Sequence, residues 1–298
     1  MPEPVRSSEP ITSVGFIGLG NMGLPMATRL VKAGYQVDGY DVSPAAGKAL
    51  TDAGGIYGDD LRGVLMGNTV VILMLPDSDV VDSVVRDEGF DTHSWTTVID
   101  MSSSEPLRTR ALAEELAQRK VTLLDAPVSG GVKGAINGKL TIMAGGDPED
   151  IAEVAPILAH LGKVTRAGDV GSGHAVKALN NLLSATHLLV TSEAMLAGER
   201  FGLDPRVMLE IFNGSSGRSG STDNKWPNFV LPGTFDSGFG LRLMLKDMRI
   251  AAHLADQVGV PDPLGHAAVE LWAEAAEALD AGADHTEIVN WLRKDESR

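Results

Sequence analysis

Val14-Gly15-Phe16-Ile17-Gly18-Leu19-Gly20-Asn21-Met22-Gly23 is the stretch that decides the fold. A short apolar strand runs into Gly-x-Gly-x-x-Gly, and a helical stretch from Leu24 to Lys32 follows at once. Asp41 then closes the next apolar segment, Gln36 to Tyr40. Each part of that order has a physical job. Gly18 permits the tight turn, Gly20 lets the backbone approach a pyrophosphate, and Gly23 allows the helix to pack closely on the strand. Leu19, Asn21 and Met22 complete the loop, and the helix N-terminus offers free N–H groups and a partial positive charge to phosphates. Asp41 stands where a carboxylate can accept hydrogen bonds from both hydroxyls of an adenosine ribose. Strand before, helix after and acid at that distance together predict a dinucleotide site.

Working outward, apolar runs recur at Val70–Leu75, Thr97–Ile99, Val121–Leu124 and Leu140–Ala144. Helical stretches lie between most of them, at Pro44–Ala53, Asp79–Val85 and Leu107–Gln118. This alternation predicts a Rossmann-type, doubly wound, largely parallel sheet covered on both faces. Near Gly168–Gly173 the pattern changes to a long helix, roughly His174 to Arg200, of about 40 Å. Helical stretches follow at Pro205–Phe212, Leu241–Val258, Pro263–Leu279 and His285–Leu292. The expected organisation is a polar tail over residues 1–12, a dinucleotide-binding domain over 13–170, and an all-α domain over 171–298. That last domain would carry substrate recognition and oligomerisation.

Composition narrows the function classes. The 298 residues include no cysteine, which excludes disulfides, thiolate metal sites and cysteine nucleophiles and suits a reducing cytoplasm. A formal charge of −15 argues against nucleic acid as a partner. No apolar run approaches the ~20 residues that span a bilayer, so no membrane role is expected. An anionic substrate would need a locally basic site in an acidic chain, which makes individual lysines and arginines informative.

Several constellations could carry chemistry. Asp125-Ala126-Pro127-Val128-Ser129-Gly130-Gly131 begins at a strand end and breaks into a glycine-rich turn. It reads as a structural loop or as a carboxylate cradle of Ser129 hydroxyl with the N–H groups of Gly130 and Gly131. Lys177 and Asn181 lie four apart on the long helix and so share a face. Apolar neighbours would partly desolvate the lysine, lowering its pKa and suiting it to proton transfer. His174 shares that face and reads as packing. Asp100-Met101-Ser102-Ser103-Ser104-Glu105-Pro106 reads as a helix N-cap or as hydroxyls facing a cofactor. Leu75-Pro76 closes a strand, and Lys246-Asp247 reads as an exposed pair. In the polar segment Asn213–Trp226, Arg218 or Lys225 could hold a second anionic or hydroxylated group, and a solvated loop is the bland alternative.

Taken in order, Gly18–Gly23, Asp125–Gly131, Gly171–Asn181 and Lys246-Asp247 resemble the β-hydroxyacid dehydrogenase family. The resemblance runs from Val14 to about Leu292. It implies Lys177 as the general acid and base, with Asn181 beside it holding substrate. It implies Ser129, Gly130 and Gly131 on the substrate carboxylate, Leu75, Pro76 and Ser103 lining the cofactor, and Lys246 near the nicotinamide end. Ser103 stands where many members carry Thr, and the hydroxyl is retained. A homodimer or homotetramer through the C-terminal helices is implied, and no metal. Asp41 repels a 2′-phosphate, and Val42-Ser43-Pro44 supplies no arginine to receive one, so NAD is favoured over NADP. Family relatives that reduce imines lack the lysine, so Lys177 favours alcohol and aldehyde chemistry.

The expected reaction is hydride transfer between a small, 3-hydroxyisobutyrate-like 3-hydroxy acid and NAD. The alternatives are a semialdehyde reductase, a threonate-type dehydrogenase or a non-catalytic dinucleotide-binding sensor. The chain departs from relatives that place an aromatic after the Ser-rich turn, because here Gly220 follows Ser219.

Overall fold

The structure is a computed structural model that describes residues 10–58, 60–86 and 96–294. Of the tail expected over residues 1–12, residues 1–9 lie outside the described residues. The chain divides into two compact units, Met1–Lys177 and Ala178–Arg298.

The first unit opens with β1 (Ser13–Ile17), α1 (Gly23–Lys32), β2 (Gln36–Tyr40), α2 (Pro44–Asp52) and β3 (Ile56–Tyr57). It continues through α3 (Leu61–Gly67), β4 (Val70–Leu73), α4 (Ser78–Arg86), β5 (Thr96–Asp100), α5 (Pro106–Ala117) and β6 (Val121–Asp125). Then come β7 (Val128–Ser129), α6 (Gly131–Asn137), β8 (Leu140–Gly145), α7 (Pro148–Ala159) and β9 (Gly162–Gly168). The strands form one sheet in the order β3-β2-β1-β4-β5-β6-β8-β7, with β9 against β8. The run from β3 to β6 is parallel throughout, while β8 pairs antiparallel with both β6 and β7. The strand order reverses between β1 and β4, which places the switch point at the carboxyl end of β1, where Gly18 begins its loop.

Near-continuous apolar strands result from burial on both faces. Val14, Phe16, Val70 and Ile72 point into one core with Met26, Ala27 and Leu30 of α1. Ile17, Val71, Leu73 and Val98 point into the other, with Val81 and Val85 of α4 and Leu112 and Leu116 of α5. Each such fully buried side chain contributes roughly 1.5–3 kcal/mol. On the surface, the Arg29 guanidinium of α1 donates to the carbonyl of Ile136 in α6 at 3.0 Å and to that of His160, just past α7, at 2.8 Å.

Helix α8 (Ser172–Phe201) begins in the first unit and continues into the second. The second unit adds α9 (Pro205–Asn213), a π-helix (Ser221–Val230), α10 (Leu241–Gln257), α11 (Pro263–Ala278), a 3₁₀ turn (His285–Glu287) and α12 (Ile288–Lys294). Its core gathers Trp226, Trp272, Met195, Met244 and Met248. The π-helix replaces the solvated loop considered for part of this segment. Ser219 and Thr222 start it by reciprocal bonds: Ser219 N–H donates to Thr222 Oγ1 at 2.9 Å and Thr222 N–H to Ser219 Oγ at 3.3 Å. Trp226, fully buried, donates its indole N–H to Ser192 Oγ on α8 at 3.2 Å. No helix among the described residues is long and apolar enough to cross a membrane.

Candidate active site

The glycine loop after β1 fits a dinucleotide on geometric grounds. Gly18 has φ 91°, and a Cβ there would strike the Met74 carbonyl. A Cβ on Gly23 would collide with the Gly18 carbonyl, so α1 can start this close to β1 only with glycine. A Cβ on Gly20 would meet nothing within 4 Å, so the space beside its backbone is open to a ligand. No side chain caps α1, and its first turn carries no acid, so the positive helix end is left for an anion. Gly20 and Asn21 are exposed, Met22 is half-buried and Leu19 is buried. Asp41, just past β2, accepts from Leu19 N–H and Ser43 N–H, each at 2.7 Å. One carboxylate thus fixes the loop from the far side of β1.

The serines after β5 do not cap α5, contrary to the N-cap alternative. Glu105 holds that position with no side-chain cap. Ser104 Oγ instead donates to Asp100 Oδ2 at 2.7 Å, and Ser102 Oγ accepts from Leu75 N–H at 2.9 Å. The loops after β4 and β5 are therefore tied, which sets Leu75, Pro76 and Ser103 next to the nucleotide loop's neighbouring strand ends. Ser103 is half-buried and Pro76 exposed.

Ser129 ends the two-residue strand β7 rather than lying in an open turn, and it pairs with Thr141. Gly130 and Gly131 follow with φ 126° and 61° and open α6. Asp125, at the end of β6, does something the sequence did not announce. Its fully buried carboxylate accepts from Gly171 N–H at 2.6 Å and His174 N–H at 2.8 Å. It thereby caps α8, joining the Ser129 segment to the helix that carries Lys177. The only local signal was an acid closing an apolar strand, and its partners are more than forty residues away. A Cβ on Gly173 would meet both the Met143 carbonyl and Asp125, so the helix start needs glycine for this approach. His174 packs behind: Nδ1 lies 2.9 Å from Thr109 Oγ1, and Nε2 stands 3.6 Å from Asp100 Oδ2.

Lys177 and Asn181 are both buried, at 6% and 5% exposure, on one face of α8. Asn181 Nδ2 donates to Asp247 Oδ2 at 2.6 Å. Asp247 is buried, and Lys246 Nζ lies 3.8 Å from its other oxygen with the lysine mostly covered. Lys246-Asp247 is therefore not the exposed pair considered from sequence: the aspartate orients Asn181. Glutamine-like amide flipping is ruled out for Asn181, because the carboxylate can only accept and so fixes which side of the amide faces it.

A second polar cluster lies in the second unit. Lys225 on the π-helix donates to Ser184 Oγ at 2.7 Å and to the Ser184 carbonyl at 3.2 Å. Burial pushes its pKa down to about 8, against the opposing pull of Asp284. His285 is pushed to about 4, first by burial and then by the Lys225 charge. Burial would raise Asp284, but hydrogen bonds from Thr286 and Ser237 and the neighbouring His285 outweigh it and hold the carboxylate below its ordinary range. Arg218, the other cation of that segment, pairs with Asp223 at 3.1 Å. Among the described residues no cluster of three or more His, Asp or Glu side chains could hold a metal ion.

Comparisons with known proteins cover most of the chain. Residues 13–171 match the NAD binding domain of 6-phosphogluconate dehydrogenase, and residues 171–292 match the NAD-binding domain of NADP-dependent 3-hydroxyisobutyrate dehydrogenase. The chain is 38% identical to a 3-hydroxyisobutyrate dehydrogenase of Pseudomonas aeruginosa, over 95% of this chain and 99% of that one. It is 35% identical to a 2-(hydroxymethyl)glutarate dehydrogenase of Eubacterium barkeri, over 93% of each. A Mycobacterium tuberculosis 3-hydroxyisobutyrate dehydrogenase solved with L-serine superposes with a TM-score of 0.90 at 31% identity, covering 95% of this chain and 99% of that one.

Proposed function

The chain belongs to the β-hydroxyacid dehydrogenase family, and from that premise we propose that it oxidises the CH–OH group of a small, 3-hydroxyisobutyrate-like 3-hydroxy acid with NAD. The observation that carries the reading is the pair Lys177 and Asn181, buried on one face of a helix whose start is capped by the same strand end that leads to Ser129. Gly18, Leu19, Gly20, Asn21, Met22 and Gly23 hold the pyrophosphate, Asp41 the adenosine ribose, and Leu75, Pro76 and Ser103 the flank of the cofactor, with Lys246 toward its nicotinamide end. When bound there, the dinucleotide supplies a hydride acceptor.

Ser129 hydroxyl and the Gly130 and Gly131 N–H groups bind the substrate carboxylate, which fixes the acid end. Asn181, its amide held by Asp247, donates to the carbinol oxygen. Neutral Lys177 Nζ takes the hydroxyl proton during oxidation, and its ammonium returns a proton to the oxygen in reduction. Orientation and fixed dipoles provide most of the acceleration. NAD is preferred over NADP because the Asp41 carboxylate, held by two backbone N–H groups, stands beside the ribose edge, where a 2′-phosphate would be repelled. The chain works in the cytoplasm as a homodimer or homotetramer. The exposed Leu183 and Val190 of α8, 59% and 54% accessible and seven residues apart on one face, support a second copy docking there.

The test is NADH formation with 3-hydroxyisobutyrate, 2-(hydroxymethyl)glutarate, L-threonate, D-glycerate and L-serine, repeated with NADP. Turnover of at least one acid with NAD supports the reading. Silence on all five, with NADH still bound, would return the chain to reduction of semialdehydes or to a non-catalytic sensor.

A further inference from the structure

Resting on that dehydrogenase reading, we propose that Lys225 and Ser184 recognise a second carboxylate on the substrate, so that the preferred substrates are 3-hydroxy dicarboxylates. Asn181 and Ser184 are three residues apart on α8 and Lys177 lies four before Asn181, so all three fall on one face. The π-helix brings Lys225 Nζ onto Ser184 at 2.7 Å. A cation therefore sits two helical turns, about 10 Å, along the face that carries the acid–base lysine. That rise is a spacing of Cα positions along one helix face, on the scale of a short carbon chain with a hydrogen bond at each end.

The donors are also right in number. Ser184 takes two of the three Lys225 N–H groups, and the third has no protein partner among the described residues. Ser184 Oγ accepts from the lysine, which leaves its own hydrogen to donate. Two donors at one point match the two oxygens of one carboxylate. Asp284, the acid whose charge acts on Lys225, is occupied by Ser237, Gly238, Phe239 and Thr286, so it does not claim the spare lysine hydrogen. A phosphate, with more charge and more acceptors, would call for more donors than this pair provides. In a chain of formal charge −15, such a committed cation is what a dianionic substrate requires.

The experiment compares 2-(hydroxymethyl)glutarate with 3-hydroxyisobutyrate, which share carbinol and near carboxylate and differ in the second acid. Wild type, Lys225→Met and Lys225→Arg are assayed with saturating NAD. Wild type should show the higher kcat/KM on the dicarboxylate. Lys225→Met should raise KM for the dicarboxylate about 10–100-fold with kcat nearly unchanged, and leave KM for the monocarboxylate unaltered. Lys225→Arg should restore most of the preference. Equal losses on both acids, or no loss on either, would overturn the assignment. Should Lys225→Met not fold, wild type still decides. Its KM for the dicarboxylate alone should climb as pH rises past about 8, where Lys225 loses its proton, with Asp284 and His285 the ionisable groups facing it. A parallel rise for both acids, or none, overturns it. Oxidation of the monocarboxylate without any dicarboxylate preference would remove only the Lys225 assignment, whereas no oxidation of either acid would remove the dehydrogenase reading with it.

Discussion

The glycine loop after β1 and the Lys225 cluster on the π-helix are the two places proposed to receive negative charge, and they are assembled in opposite ways. The loop uses backbone N–H groups and a helix end, with side chains removed so that a ligand can come close. Its parts lie within a few residues of one another, apart from Asp41. The second cluster uses a half-buried side-chain cation, set by a serine 41 residues earlier and flanked by an acid and an imidazole far later in the chain. A backbone cradle has no proton to lose and is insensitive to pH. A desolvated lysine can be switched off by its own ionisation, so it discriminates among substrates at the cost of a narrower pH range.

Four changes test that contrast. The largest effect should come from neither region but from the residue between their roles. Lys177→Ala should lower kcat by about 10²–10⁴ while NADH fluorescence titration still shows binding. Loss of NADH binding instead would mean that the acid–base and cofactor functions are not separable. Next, Gly18→Ala should lower stability by about 2–4 kcal/mol and weaken NADH binding, since a side chain at φ 91° is strained and meets the Met74 carbonyl. A thermal melt and a binding titration read both. Asp41→Ser should then move the ratio of kcat/KM for NAD to that for NADP by about 10–100-fold toward NADP; an unchanged ratio would remove Asp41 from ribose recognition.

The smallest effect is on acid stability. The His285 pKa falls from 6.5 to about 4 on folding, so between those values the unfolded chain binds the extra proton and stability drops as pH falls. Asp284, also held low, acts in the same direction at lower pH. The buried Nε2 of His285 has no hydrogen-bond partner among the described residues, and Nδ1 lies 3.1 Å from the Phe239 carbonyl, an arrangement suited to a neutral ring with its proton on Nδ1. Melting temperature should therefore decline from pH 7 to pH 4.5, and His285→Gln should flatten that decline.

The parallel sheet was legible because its signals are local. Strands such as Val70–Leu73 are apolar at every position, since alternate side chains enter different cores, and the glycine loop announces its own turn. The short strands β3 and β7 went unread, because two residues carry no period. The antiparallel β8 was read as a strand, but its direction depends on partners that no local pattern states. The π-helix was only half legible. Ser219 and Thr222 are a helix-start pair in plain view, but the wider turn is held by Trp226 on Ser192 and Lys225 on Ser184, contacts across 34 and 41 residues. In the candidate site, spacing put Lys177 and Asn181 on one helix face and the family resemblance suggested their roles, whereas the cap from Asp125 and the brace from Asp247 depend on distant chain segments.

Arg29 touches no residue proposed to bind a ligand, yet its guanidinium fastens α1, which starts at the nucleotide loop, to α6, which starts at Gly131. It acts as a gauge block between the two helices, setting from the side the spacing of the loops proposed to hold cofactor and acid. A misplacement of even 1 Å at reacting atoms costs about 10²-fold in rate. Random mutagenesis scored only by turnover would then flag position 29 as an active-site residue, and a map of tolerated substitutions would show a sensitive spot on the outer side of α1 with no chemistry of its own.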